Sequence, residues 1–130
     1  MSRVEPLPRS TWTNKFRFAL RGMKRGVRGE SSFFVYFFVT AAVIVAGLVL
    51  RATPAEWAVL LLCIAAVLAA EMFNSALENL AKAVTDQPHE RIADALDISS
   101  AAVLIACIGA AAVGTLIFVH RLAVMLEWWS

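Results

Sequence analysis

The rhythm of apolar and polar positions divides the chain into four segments. In residues 10–28, Trp12, Phe16, Leu20, Met23 and Val27 recur at spacings of three and four, one stripe of a helix. Lys15, Arg17, Arg21, Lys24, Arg25 and Arg28 occupy much of the remaining circumference. This is the pattern of a basic amphipathic helix lying on an anionic membrane surface. A solvated face on an ordinary helix gives the same stripe, but the apolar run that follows at once favours the surface helix. Residues 1–9 hold two prolines and no periodicity and read as a loose arm. From Ser31 to Leu50 run twenty residues without a charge, the length of about 20 needed to cross the hydrocarbon. That run is too long for the core of a signal peptide, and no small-residue cleavage site closes it.

Arg51 ends the first run, and Thr53-Pro54-Ala55-Glu56 follows. This is a capping box with proline at the first helical position, so a second long helix is expected over 54–84. Trp57 stands where an interfacial anchor belongs. The third uncharged run, Ile98 to Val119, has twenty-two residues and is closed by His120 and Arg121. A helix over 90–121 accounts for it, with 122–130 as a tail whose Trp128 and Trp129 rest at the interface. The pattern predicts one all-α membrane domain: an amino-terminal amphipathic surface helix plus three transmembrane helices.

Composition strengthens that reading. The 130 residues are 60% apolar and only 17% charged, with a mean hydropathy of +0.71. A soluble domain runs at about 45–50% apolar with about a quarter charged. Disorder is excluded, and a soluble enzyme of this length has too little interior for so much apolar surface. The net charge of +2 hides an asymmetry: eight of the twelve basic residues precede residue 29, opposed there only by Glu5. The positive arm stays in the cytoplasm, which places 51–56 outside, 82–97 inside and the carboxyl terminus outside. Cys63 and Cys107 both lie in apolar runs and read as buried thiols without a disulfide framework.

The second long helix carries acids into the bilayer. Its uncharged stretch, Trp57 to Ala70, is interrupted by Glu71. At a rise of about 1.5 Å per residue, Glu71 sits about 22 Å into a core about 30 Å thick, just below the cytoplasmic face. Glu71, Asn74, Ser75 and Glu78 have offsets of zero, three, four and seven, which puts them on one helical face. An ionisable residue in a span costs a few kcal/mol and marks function by default; a polar contact that only fixes helix packing is the alternative. Glu30 precedes the first span, and Glu90, Asp94 and Asp97 share a face before the third, with His89 ahead of them. Glu30, Glu71, Glu78 and Asp97 are therefore expected to converge on the cytoplasmic rim. Such oxygen ligands suit magnesium, which takes one or two carboxylates and shares phosphate oxygens. With the basic surface helix alongside, the pattern points to phosphoryl transfer at a membrane surface, one carboxylate acting as base. A small transporter with Glu71 as its proton-coupling group is the competing class.

Glu71-Met-Phe-Asn74-Ser75-Ala-Leu-Glu78 resembles the signature of the prokaryotic diacylglycerol kinase family, small integral-membrane lipid kinases that include undecaprenol kinases. Every defined position of Glu-x-x-Asn-Ser/Thr-Ala/Ser-Ile/Leu-Glu is filled. The segment from Asp97 through Ser100 resembles the start of that family's third span, and the resemblance covers about residues 14–118. It implies ATP-dependent, magnesium-dependent phosphorylation of a membrane lipid hydroxyl, with diacylglycerol the first expectation and undecaprenol the second. By the same resemblance Glu71 is the catalytic base, and Asn74 and Ser100 lie on the lipid side. Glu30 and Glu78 hold magnesium with the ATP phosphates; Asp97 and His89 stand on the nucleotide side, and Phe18 near the adenine. The family has no P-loop, and none is present here.

The resemblance also implies a homotrimer with active sites shared between subunits, in a bacterial cytoplasmic (inner) membrane, with lipid and no nucleic acid as partner. One position departs from the pattern. The family usually has lysine before the aspartate, in contact with the ATP phosphates, where this chain has Ala95-Leu96-Asp97. Lys82 and Arg91 are the candidate replacements; a non-catalytic trimeric membrane relative is what the sequence implies if neither serves.

Overall fold

In the computed structural model the described residues are 12–29 and 32–129, and their secondary structure is four helices. These are α1 (Trp12–Gly29), α2 (Ser32–Val49), α3 (Pro54–Val84) and α4 (Glu90–Trp129). The amino-terminal arm and Glu30 lie outside the described residues. Helices α3 and α4 are long and apolar enough to cross a membrane, whereas the apolar part of α2, Phe34–Val49, is shorter. Helix α4 does not stop at Arg121: no Gly or Pro interrupts 122–129, and good helix formers such as Leu122, Ala123, Met125 and Leu126 carry it to Trp129.

The connections follow from local chemistry. At the start of α3 the Thr53 hydroxyl accepts from the Glu56 amide at 3.2 Å, and the Glu56 carboxylate accepts from the Thr53 amide at 2.9 Å. Both halves of the expected capping box are formed. Helix α2 ends in a Schellman turn, in which the Ala52 amide donates to Gly47 O at 3.0 Å and the Arg51 amide to Leu48 O at 3.4 Å. Arg51 takes the left-handed position of this turn at φ 55. At the other end α3 stops at Thr85, whose hydroxyl accepts from the Gln87 amide at 3.0 Å. A short connection then turns the chain into α4.

Helices α3 and α4 form an antiparallel hairpin, the most extensive contact in the fold. The less exposed positions of α3 include Leu60, Ile64, Val67, Glu71, Asn74 and Glu78, which are spaced alternately by four and three. On α4 the matching positions are Ile92, Leu96, Ser99, Val103, Ala106 and Ala110. Such alternation keeps two helices in register along a slightly supercoiled seam. Helix α2 packs on both. Trp57 is half-buried: a Cβ on Gly47 would come within 2.7 Å of its ring. The glycine lets the indole lie against the α2 backbone.

Burial is inverted relative to a soluble domain. Among the described residues Leu60, at 2% exposure, is the one large apolar side chain fully enclosed, while apolar residues cover the outside of α2 and α4. The buried polar side chains are Glu71, Asn74, Ser75 and Ser99. An apolar exterior around a polar interior is stable where the surroundings are lipid.

Candidate active site

The seam of α3 changes character at Glu71. Below it the helix contributes Leu60, Ile64 and Val67; from it onward the same stripe is Glu71, Asn74 and Glu78. Tyr36 on α2 donates its phenol to Glu71 Oε2 at 3.2 Å, and its oxygen lies 4.0 Å from Cys107 Sγ on α4. One side chain thus joins three helices at the level of the buried acid. Ser99 Oγ donates to Asn74 Oδ1 at 2.6 Å, with Leu96 O at 3.1 Å as a second acceptor. The Asn74 amide group in turn donates to Glu78 Oε1 at 3.0 Å. An amide that accepts on one side and donates on the other has one consistent orientation. The result is a relay, Ser99–Asn74–Glu78, that holds one oxygen of the Glu78 carboxylate.

Three cavities lie beside α3. A groove of about 430 Å³ runs between α2, α3 and α4, from Tyr36 and Cys107 past Leu60 to Phe118, and its walls are almost wholly apolar. A second cavity of about 430 Å³ lies between α1 and α3. A cleft of about 390 Å³ opens at the 85–89 connection, lined by Glu78, Lys82, His89 and Leu96. Cys63 and Cys107 both line the apolar groove as free, half-buried thiols.

Among the described residues, no group of three His, Cys, Asp or Glu side chains gathers. Of the acids expected on the cytoplasmic rim, Glu30 lies outside the described residues, and Glu71, Glu78 and Asp97 form no close cluster within the chain. Asp97 follows Leu96 by about 100° around α4, so it leaves the seam and is exposed. Ser100 is exposed for the same reason, one position past the buried Ser99. His89 is exposed but lines the cleft with Glu78. Phe18 is half-exposed on α1, with the Arg21 guanidinium 5.8 Å from its ring centre, and does not line the cleft. Glu71 and Asn74 are enclosed within a single chain, so their shielding does not by itself call for neighbouring subunits.

Two comparisons with known proteins decide the family. The model of the family described as prokaryotic diacylglycerol kinase matches residues 17–118. The chain belongs to the prokaryotic diacylglycerol kinase family. It is also 28% identical over 107 residues to the undecaprenol kinase of Bacillus subtilis (strain 168), covering 82% of this chain and 87% of that protein. No solved structure matches. Membership makes the chain a lipid kinase, and a membrane protein in keeping with its two long apolar helices.

Within a lipid kinase, three residues gain weight that spacing alone had not given them. Ser99 continues the seam from Ile92 and Leu96, whereas Ser100, the position the family pattern gives, lies one residue beyond it and is exposed. Tyr36 has no signal in its own helix, where it stands among Phe34, Phe37 and Phe38. Lys82, one turn beyond Glu78, lines the cleft that Leu96 also lines, and Arg91 does not.

Proposed function

We propose that the chain transfers the γ-phosphoryl group of ATP to the primary hydroxyl of a membrane lipid, with Glu71 as the general base. What carries the reading is a carboxylate at 7% exposure, held at the junction of three helices by a phenol that itself lines an apolar groove. A lipid chain in that groove brings its hydroxyl to the level of Glu71, which takes the proton as the oxygen attacks phosphorus. Tyr36 orients the base and donates to the oxygen it holds. The phosphate donor belongs in the cleft, where Lys82 and His89 face the phosphates beside Glu78.

Magnesium fits this donor set. It is held by one or two carboxylates together with phosphate oxygens rather than by a full protein cage, and Glu78, steadied by Asn74, supplies one such carboxylate. Glu30 is the proposed second. When bound, the metal neutralises phosphate charge as it shifts toward the leaving group. Asp97, Phe18 and Ser100 stay on the proposed nucleotide and lipid sides only through the family pattern.

The surrounding architecture belongs to the same proposal. Helix α2, with 18 residues and a length of about 27 Å, is within the range for a third span. The basic residues of α1 and the arm keep the amino terminus on the cytoplasmic side of a bacterial inner membrane, and the active unit is a homotrimer. Diacylglycerol is the proposed acceptor. The similarity to an undecaprenol kinase supports a polyprenol as the second reading. The deciding experiment is purified protein in mixed micelles with γ-labelled ATP and magnesium, offered diacylglycerol or undecaprenol. Label transfer to lipid is expected; its absence from both would overturn the proposal.

A further inference from the structure

Ser99 is the polar position on the α4 side of the seam, in line with Ile92, Leu96, Val103, Ala106 and Ala110. It is buried, and its Oγ donates to Asn74 Oδ1 at 2.6 Å. Its second acceptor, Leu96 O at 3.1 Å, already has an amide of the α4 ladder, so the hydroxyl proton is free for Asn74. This link carries the relay from one helix to the other. The next link, from the Asn74 amide group to Glu78 Oε1 at 3.0 Å, joins two residues of α3. Glu78 lines the cleft at the 85–89 connection, whereas Asn74 and Ser99 do not. Both stand behind the cleft, so whatever Ser99 does for a ligand there passes through Glu78.

We propose that Ser99 is a positioning residue for the metal–nucleotide site: by fixing the Asn74 amide it holds Glu78 in the rotamer that binds magnesium with the ATP phosphates. The proposal deepens the lipid-kinase reading and rests on it for the metal–nucleotide placed in the cleft. A glutamate side chain has several rotatable bonds, and a cation that binds it must freeze them. A carboxylate tethered through Oε1 has lost that freedom before the metal arrives, and Oε2 is left for the cation. The tether holds only if the amide is itself anchored. Without the Ser99 hydroxyl, Asn74 Oδ1 is a buried acceptor that has lost its donor. The amide then turns toward another donor and takes its own donor group away from Glu78. Packing alone asks for no hydroxyl here, since the same seam is filled by Val103, Ala106 and Ala110 farther along α4. Groups that hold a metal ligand from behind govern metal affinity by about 10–100-fold. A hydroxyl that only joined α3 to α4 would act on stability and leave metal affinity alone.

The test reads metal binding directly, with manganese as the probe. Manganese bound together with a non-hydrolysable ATP analogue is titrated by electron paramagnetic resonance on the purified full chain in detergent. The KM for magnesium is measured beside it with γ-labelled ATP and lipid. Ser99→Ala is expected to weaken manganese binding by about tenfold and to raise the KM for magnesium in step, with turnover recovering as magnesium is raised. Alanine is the better helix former, so α4 is kept. Ser99→Thr returns the hydroxyl and is expected to recover most of the affinity. Glu78→Gln keeps the weaker hold on the metal that the nucleotide phosphates provide. In that background Ser99→Ala is expected to cost nothing further, because the ligand it acts through is gone. Unchanged manganese affinity in Ser99→Ala, or no recovery in Ser99→Thr, overturns the proposal and leaves the kinase reading intact. An equal loss in the Glu78→Gln background does the same, since the two residues would then act separately. A protein that phosphorylates no lipid, yet loses manganese–nucleotide affinity through Ser99 and Glu78 as one unit, supports the proposal and removes the lipid-kinase reading.

Discussion

The two ends of the α3–α4 hairpin use polar residues in opposite ways. At the end near the 51–53 connection, polar groups close the structure. Arg121 Nε donates to Leu50 O at 3.1 Å and stands 3.7 Å from Glu56, whose carboxylate is already committed to the α3 cap. Trp57 lies on Gly47, and Leu60 beneath it is sealed. At the end near the 85–89 connection, polar groups face one another inside the seam. Glu71, Asn74 and Ser99 occupy positions that apolar side chains would fill at lower cost. The first end spends its polarity on satisfying backbone at helix termini. The second keeps an acid, an amide and hydroxyls where they stabilise the fold least, which is what a site for chemistry requires.

Substitutions at the two ends should separate accordingly. The largest effect is expected from Glu71→Gln, which keeps shape and hydrogen bonding but cannot accept the proton. Turnover should fall by about 10²–10⁴-fold, with nucleotide binding retained and the melting temperature in detergent changed little. Retention of most turnover would remove the catalytic assignment. Lys82→Ala tests the cleft next. It should raise the KM for ATP and lower turnover, and Leu96→Lys should restore part of both by returning a cation to the same cleft from α4. An unaltered KM for ATP in Lys82→Ala would place the phosphates elsewhere.

The closing end should respond in stability and not in chemistry. Gly47→Ala puts a methyl group against the Trp57 ring and forces the α2–α3 contact apart, at an expected cost of about 1–3 kcal/mol. Thermal unfolding in mild detergent should show it, with KM values unchanged. Thr53→Ala removes the hydroxyl half of the capping box and is expected to cost about 1 kcal/mol. If either variant lowered turnover in proportion to Glu71→Gln, the two ends would be coupled and the contrast between them would fail.

Much of this was legible in the residues because it depends on near neighbours. The capping box needs only Thr53 and Glu56, three residues apart, and it forms as the spacing predicts. The stripe of Glu71, Asn74, Ser75 and Glu78 follows from the pitch of one helix. Uncharged runs set the positions of α2, α3 and α4 through the cost of charge in lipid. The signature at 71–78 led to the family that the comparison over residues 17–118 establishes.

Relations between helices lay beyond the sequence. Whether Ser99 or Ser100 meets Asn74 turns on about 100° of rotation of α4 against α3, and no local pattern sets that angle. The same rotation takes Asp97 out of the seam. Tyr36 looks like one more aromatic among phenylalanines until α2 is docked, and only then does its phenol reach Glu71. Lys82 and Arg91 were equivalent as charges; the turn at 85–89 brings one of them into the cleft beside Glu78. The chain determined which side chains share a face, because helical pitch is a property of the backbone. The tertiary structure decided which faces meet, because that is settled by packing across residues far apart in sequence.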